Sequence, residues 1–213
     1  MAQTQVVLWD WNGTLLDDRA FTLNCLNALL AEFGYPQRYD TAEYLELFDF
    51  PIEEYYIKAG FDFARHPYPM LAERFMAMYN PGSAACVPMS DTVATLEAVR
   101  GMGIQQVVLS ATRQDTLHQQ VAARGLTGYF DELLGMGDIY GKSKVQAGRD
   151  WMARTGIDPA CAVMIGDTLH DAEVAAAMGA RCILVTTGHQ SRRRLEATGC
   201  PVADSLGEIL ALL

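Results

Sequence analysis

Val6-Val7-Leu8-Trp9-Asp10-Trp11-Asn12-Gly13-Thr14-Leu15 is the stretch of this chain that decides its fold. The first four residues are apolar and favour a buried β-strand, which ends at the acid Asp10. Asn12-Gly13 then indicates a sharp turn. A carboxylate that follows a buried strand lies at the edge where open α/β sheets bind ligands. At that edge it can attack phosphorus or bind a divalent cation.

The composition is that of a globular chain and argues against several kinds of partner. Half of the 213 residues are hydrophobic, and the formal net charge is −10. This charge argues against binding to nucleic acid or to an acidic membrane, since both need clustered cations. The one basic run, Arg192-Arg193-Arg194, is interpreted as a solvated helix face. The five scattered cysteines predict reduced thiols, and the early first strand leaves no room for a signal peptide, so a cytoplasmic location is expected.

A long helical segment follows the first strand. One amphipathic pattern runs from Phe21 to Phe33 and ends at Gly34-Tyr35-Pro36. Three shorter helical patterns cover residues 41–48, 52–59 and 69–79. Together they predict an all-helical block over residues 17–84, which is too long for a loop and is expected to be a small domain of its own.

Strands and helices alternate in the rest of the chain. Strands are predicted at residues 106–109, 162–165 and 182–185, with a short element near 130–133 and an edge strand at 200–203. Helices are predicted at residues 91–102, 115–124, 144–155, 171–178 and 206–212. This order is typical of a parallel sheet with right-handed crossovers. We therefore expect an α/β fold with a Rossmann-like parallel sheet core, residues 1–16 and 85–213, and an inserted all-helical cap domain, residues 17–84.

Three of the predicted strands end at polar residues suited to phosphate chemistry. These residues are Asp10, Ser110 and Asp167. The carboxyl ends of parallel strands lie along one edge of a sheet, so the three side chains are expected to lie close together. Asp171 stands one helical turn beyond Asp167 and joins the same group.

These segments together resemble the four signatures of the haloacid dehalogenase superfamily. The first is Asp-x-Asp-Gly-Thr-Leu in its phosphatases, and Asp10 to Leu15 matches it except at Asn12. Val107-Val108-Leu109-Ser110 is similar to the second, Lys142 to the third, and Gly166-Asp167-Thr168-Leu169-His170-Asp171 to the fourth. The helical insertion is similar to the cap of phosphoglycolate phosphatases and beta-phosphoglucomutases.

The resemblance implies a role for each matching residue. Asp10 is expected to be the nucleophile that forms an aspartyl phosphate. Lys142 would stabilise negative charge, with Lys144 as the alternative. Mg²⁺ would be held by Asp10, the backbone carbonyl of Asn12, Asp167 and Asp171. The phosphate would be bound by Lys142, by the hydroxyl of Ser110 and by the backbone amides around Trp11–Gly13 and of Ala111.

The four histidines are treated separately, because they have no ligand spacing. His66, His118, His170 and His189 are interpreted as surface or capping residues, with His66 and His170 nearest the cleft.

Asn12 departs from the phosphatase pattern. The family's second acid protonates the leaving oxygen and later activates water, and an amide can do neither. Three explanations remain open: a substrate with a good leaving group, a proton supplied by Asp17, Asp18 or a cap residue, or a weakened enzyme. The sequence therefore predicts a magnesium-dependent phosphatase of small phosphorylated metabolites, similar to phosphoglycolate phosphatase. The alternative is a catalytically weak protein of the same fold that binds a phosphorylated ligand or partner as a sensor.

Overall fold

A six-stranded parallel sheet forms the centre of the computed structural model, which describes residues 3–137 and 143–213. The strands are β1 (Val6–Trp9), β2 (Gln105–Arg113), β3 (Glu132–Met136), β4 (Ala162–Gly166), β5 (Arg181–Val185) and β6 (Val202–Ala203). Their order is β3-β2-β1-β4-β5-β6, and every pairing is parallel. The order reverses between β1 and β4, which is the point where Rossmann-like sheets bind ligands. The predicted α/β fold is confirmed.

Helices cover both faces of the sheet. The helices that follow β1 are α1 (Arg19–Glu32), α2 (Thr41–Leu47), α3 (Ile52–Lys58), α4 (Tyr68–Gly82), α5 (Thr92–Gly101), α6 (Gln114–Ala123), α7 (Lys144–Thr155), α8 (Leu169–Met178) and α9 (Arg192–Glu196). Residues of α5 and α6 pack on one face of the sheet, and residues of α7, α8 and α9 pack on the other. Because β1 is covered on both sides, it is fully buried, which explains its continuous apolar sequence.

The first four helices form a block with an apolar core of its own. This core includes Leu26, Leu29 and Leu30 of α1, which pack with Tyr44 of α2 and Leu71 of α4. The helical pattern of residues 17–84 corresponds to an insertion between β1 and the rest of the sheet.

Within residues 3–137 and 143–213, no helix has the length and apolarity needed to cross a membrane.

Most elements shift by one to three residues from their predicted bounds, and the three described next differ most in extent, position or type. β2 was expected to end at Leu109, but it continues through Ser110 to Arg113 with an irregular register against β3. β3 lies over Glu132–Met136 rather than near residues 130–133. The predicted last helix is a 3₁₀ helix at Gly207–Ala211. The extension of β2 matters for the site, because it brings Thr112 beside the loop that follows β1.

Candidate active site

Asp10 lies directly beyond β1, at the reversal of strand order. Its backbone N–H donates to the carbonyl of Ile165 on β4 at 2.8 Å, which fixes the turn out of the sheet. The residue is 9% exposed. Burial raises the pKa of Asp10 to about 7, assisted by the neighbouring carboxylates Asp171 and Asp167 and opposed by Lys144. The raised pKa means that Lys144 offsets only part of the cost of burying the negative charge of Asp10.

Three carboxylates converge at this point. One oxygen each of Asp10, Asp167 and Asp171 lies within 4.8 Å of the others. Asp167 follows β4, and Asp171 lies in the first turn of α8. Burial also raises the pKa of Asp167 to about 6, although His189 acts against this shift. Hard oxygen donors that repel one another at this spacing are suited to a divalent cation.

Lys144 is the cation that the structure places inside this cluster. Its Nζ lies 2.7 Å from Oδ1 of Asp10 and 2.6 Å from Oδ1 of Asp171, and the residue is 5% exposed. It is the first residue of α7, where Ser143 caps the helix by accepting from the N–H of Gln146. Lys142, the lysine favoured from the sequence, lies outside the described residues. The alternative, Lys144, contacts Asp10, where a lysine was expected to stabilise negative charge, and it also contacts Asp171.

Asp171 accepts hydrogen bonds from several protein donors. Its Oδ2 accepts from the backbone N–H and the hydroxyl of Thr168 and from the N–H of Asp167, at 3.1, 2.7 and 3.2 Å. Burial works against its ionisation, but Lys144, together with the Thr168 hydroxyl and His170, holds the pKa of Asp171 below its usual range. Asp171 therefore positions Lys144 and caps α8 in addition to facing the cluster.

Asp167 fits only because two glycines surround it. Its Oδ1 accepts from the hydroxyl of Thr14 at 2.9 Å, and its Oδ2 accepts from the N–H of His189 at 2.7 Å. A Cβ at Gly13, whose φ is +73°, would lie 2.5 Å from Oδ2, and a Cβ at Gly188 would lie 2.0 Å from it. Any side chain at either position would displace the carboxylate.

The groups expected to bind phosphate are only partly available. The Gly13 N–H donates to the carbonyl of Leu16 and to Oδ1 of Asp18, both at 2.9 Å, so it is already engaged. The Trp11 side chain is buried, and its indole N–H donates to Gln120 at 2.8 Å. Ser110 is buried within β2, where its hydroxyl accepts from the N–H of Thr112 at 3.1 Å. Ala111 is exposed.

Asn12 is held by three side chains from separate parts of the chain. Its Oδ1 accepts from the Thr112 hydroxyl at 2.8 Å. Its Nδ2 donates to Oδ2 of Asp18 at 2.9 Å and to the hydroxyl of Tyr79 at 2.6 Å. The sequence indicates Asp18 only as a possible proton source, and no sequence pattern marks Thr112 or Tyr79 as a residue of this site.

Asp18 is the centre of this network. It is 1% exposed and also accepts from Nε2 of His189 at 3.2 Å, while Nδ1 of His189 lies 2.8 Å from the Tyr44 hydroxyl. Burial disfavours the imidazolium, but the carboxylates of Asp18, Asp167 and Asp10 together raise the pKa of His189 to about 9. His189, assigned to the surface or a cap from the sequence, is instead buried at the site. Its signal was its position just beyond β5, close to the other strand ends.

The basic run is largely exposed at the start of α9, as the sequence predicts, and it also contacts the helical insertion. Arg193 pairs with Glu46, and Arg194 pairs with Asp49 at 3.1 Å. Arg194 also donates to the carbonyl of Phe48. The three arginines are fully or partly exposed, yet two of them connect the insertion to the sheet domain.

His66 and His170 occupy different surroundings from each other. The ring of His170 stacks on Phe50, with 4.6 Å between centroids, and so lies between the sheet domain and the insertion. His66 lies within the insertion, where its Nδ1 is 2.9 Å from the Tyr35 hydroxyl.

Known proteins resemble this chain along nearly its whole length. The sequence model of the family described as haloacid dehalogenase-like hydrolase matches residues 7–185. A phosphoglycolate phosphatase of Synechococcus elongatus is 26% identical over 201 residues, which cover 92% of this chain and 90% of that protein.

Solved structures show the same fold. A haloacid dehalogenase-like family hydrolase from Streptococcus pneumoniae has a TM-score of 0.85 at 17% identity, covering 100% of this chain and 99% of its own. A predicted phosphatase from Clostridium acetobutylicum has a TM-score of 0.82 at 22% identity and covers both chains fully.

Proposed function

Because the chain belongs to the haloacid dehalogenase-like hydrolase family, we propose that it is a magnesium-dependent phosphatase of small phosphorylated metabolites that forms an aspartyl phosphate. The observation that carries this proposal is the buried cluster of Asp10, Asp167 and Asp171 around Lys144. Similarity to a phosphoglycolate phosphatase supports the substrate class. Residues 17–84 would act as the cap that covers the cluster.

The donor set fits a magnesium ion. Asp10 and Asp167 would supply carboxylate oxygens, with the backbone carbonyl of Asn12 as a third donor and Asp171 ligating the ion or ordering its waters. The carbonyls on either side of Asn12 are engaged, since Trp11 accepts from Leu16 and Gly13 accepts from Thr187. Bound Mg²⁺ would offset the repulsion between Asp10 and the anionic substrate.

The protein's own residues prepare Asp10 for attack. Lys144 donates to Oδ1 of Asp10, which leaves Oδ2 as the oxygen that can approach phosphorus. Lys144 also remains beside Asp10 when the phosphoryl group arrives and stabilises its negative charge. The backbone hydrogen bond from Asp10 to Ile165 fixes the direction of the carboxylate.

Phosphate release from a panel of phosphate esters and acyl phosphates, with and without Mg²⁺, tests the proposal. We expect release only with Mg²⁺, together with a phosphorylated Asp10 peptide in mass spectrometry of acid-quenched protein. Release that persists without divalent cations, or labelling of another residue, would contradict the mechanism.

A second candidate function is that of a catalytically weak binding or sensor protein. Asn12 favours it, because residue 12 has no proton to give or take. A protein of this kind would be stabilised thermally by Mg²⁺ with phosphate or vanadate and would release no phosphate from any member of the panel.

Magnesium binding should strengthen as pH rises. The pKa of Asp10 is raised to about 7 and that of Asp167 to about 6, so without metal both groups retain protons that the unfolded chain has lost. Their contribution to stability is therefore present at low pH and is lost as pH rises through about 6 to 7. Mg²⁺ needs the ionised forms, so the increase in Tm that it causes should grow between about pH 5 and about pH 8. A constant or shrinking increase, measured by scanning calorimetry, would contradict this linkage.

Asp167 and Asp171 should respond differently to substitution. Asp167→Asn should weaken Mg²⁺ binding by more than about 100-fold, beyond the 10- to 100-fold loss typical of a supporting residue. Asp171→Asn should weaken it less and lower Tm more, since it removes a buried partner of Lys144 and disturbs the cap of α8. Calorimetric titration and thermal melts measure the two effects in the same pair of variants. Equal or reversed losses of affinity would overturn the assignment.

A further inference from the structure

We propose that this active site is built for anhydrides of phosphoric acid, meaning acyl phosphates and phosphoanhydrides, whose leaving groups depart without taking a proton. The inference rests on the proposed phosphatase function and specifies its substrate class. It comes from the hydrogen bonds around Asn12, in which Thr112 and Tyr79 donate their protons to other side chains and Asp18 acts as an acceptor.

The first step concerns Asn12 itself. Thr112 donates to its Oδ1, and its Nδ2 donates to Asp18 and Tyr79, so both ends of the amide are engaged. An amide has no proton that it can release in the useful range of pH. Residue 12 therefore orients its neighbours and does not serve as an acid.

Asp18 does not replace the missing acid. Its Oδ1 accepts from Gly13 N–H at 2.9 Å and faces Nε2 of His189 at 3.2 Å. Its Oδ2 accepts from Asn12 at 2.9 Å, from Tyr79 at 2.5 Å and from Thr22 at 3.4 Å. Five donors thus occupy the lone pairs of the two oxygens of this buried side chain. Neither oxygen is left to carry a proton that could be delivered to a leaving group.

The remaining proton carriers in contact with this network are also committed. The Tyr79 hydroxyl donates to Asp18, and the Thr112 hydroxyl donates to Asn12. His189 is buried, and its two ring nitrogens face Asp18 and the Tyr44 hydroxyl. Delivery of a proton from any of them would break an existing hydrogen bond and leave its acceptor without that donor.

The location of the negative charge explains why residue 12 is an amide. Nδ2 of Asn12 lies 2.9 Å from Oδ2 of Asp18, so a carboxylate at position 12 would face another carboxylate at hydrogen-bond distance. Asp18 already provides the charge that faces His189. An amide at position 12 is therefore the neutral donor that this arrangement requires.

The chemistry then balances without a general acid. In the first step the Asp10 oxygen bonds to phosphorus while the anhydride P–O bond breaks, and the electron pair leaves on a carboxylate or phosphate anion. In the second step water bonds to phosphorus, the bond to Asp10 breaks, and the electron pair returns to Asp10. One proton of the water stays on the attacking oxygen and the other passes to a phosphate oxygen. Both steps expel the anion of an acid, because the aspartyl phosphate is itself an acyl phosphate.

The test compares leaving groups in the native protein with Mg²⁺. Values of kcat/KM are measured for acetyl phosphate and for four esters whose leaving groups increase in basicity: dinitrophenyl, para-nitrophenyl, phenyl and benzyl phosphate. Phenyl and benzyl phosphate are nearly equal in size, so this pair controls for fit under the cap. General acid catalysis contributes about 10²–10⁴-fold, so we expect kcat/KM for dinitrophenyl phosphate to exceed that for benzyl phosphate by at least about 10³-fold.

The outcomes separate this inference from the proposed function. Values for dinitrophenyl, phenyl and benzyl phosphate within about tenfold of one another would show that a proton is supplied, which overturns the inference and leaves the phosphatase function intact. Absence of turnover with every compound, acetyl phosphate included, would overturn both. Mass spectrometry of the peptide that holds Asn12 accompanies each assay, because deamidation before Gly13 would create the acid.

A pair of exchanged residues gives an independent measurement. Asn12→Asp/Asp18→Asn moves the carboxylate to position 12 and keeps one charge in the network. It should raise the ratio of kcat/KM for benzyl phosphate to that for dinitrophenyl phosphate by about 10²–10⁴-fold. Asn12→Asp alone is the matched control, and it should raise this ratio less and melt at a lower temperature because Asp18 remains. A double variant with native Tm and no rise in this ratio would count against the inference, and the native leaving-group series stands if the double variant fails to fold.

Discussion

Asp10→Asn should lower the rate of phosphate release by a factor on the order of 10⁴–10⁶, as the loss of a covalent nucleophile does in other enzymes. The fold should survive, because the amide keeps the shape of the side chain and its oxygen can still accept from Lys144. We expect Tm without Mg²⁺ to change by less than about 4 °C, which corresponds to about 1 kcal/mol in a chain of this length.

Three measurements are needed for this variant: phosphate release, thermal melts and circular dichroism. Asp10→Asn should also lose most of the thermal stabilisation by Mg²⁺, since Asp10 belongs to the acidic cluster. Turnover above a few per cent of the native rate in a folded variant would rule out covalent catalysis at Asp10. Analysis of the intact mass excludes reversion of the introduced amide to the acid.

Lys144→Met should abolish activity and destabilise the protein. Lys144 is buried against Asp10 and Asp171, so its removal leaves two carboxylates without their cation. Breaking a buried ion pair from one side costs about 3–5 kcal/mol, which lowers Tm by roughly 6–20 °C in a chain of this length. Melts without Mg²⁺ measure the loss, and saturating Mg²⁺ should restore part of it.

Lys142→Met is the matched comparison, because both lysines precede or begin the same helix and both fit the third signature. The contacts of Lys144 predict that its replacement causes the greater losses of activity and of Tm. A greater loss of activity in Lys142→Met would return the role to Lys142.

Sequence patterns were sufficient wherever function depends on consecutive residues. The apolar run of β1 followed by Asp10 predicts a buried strand with an acid at its carboxyl end, and the structure has both. The segment from Gly166 to Asp171 likewise predicts the second and third carboxylates of the cluster. These inferences succeed because strand alternation, turns and the first turn of a helix are set by neighbouring residues.

The hydrogen-bond partners of Asn12 and Asp18 could not be predicted from local sequence patterns. Its contact with Tyr79 spans 67 positions of the chain, and the contact between Asp18 and His189 spans 171. No local pattern marks a tyrosine or a histidine as a partner of a distant acid. Only the packing of α4 and the loop beyond β5 around the end of β1 makes them neighbours.

The sequence by itself determined the α/β class, the position of Asp10 and the acids of the fourth signature. The tertiary structure alone decided that Lys144 contacts Asp10 and that Asp18 accepts hydrogen bonds instead of delivering a proton. It also decided that Arg193 and Arg194 form ion pairs with the helical insertion. The physical reason is that burial and pairing change what a charged side chain does. Whether an acid gives a proton, or a cation faces solvent, depends on partners that the chain brings together only when it folds.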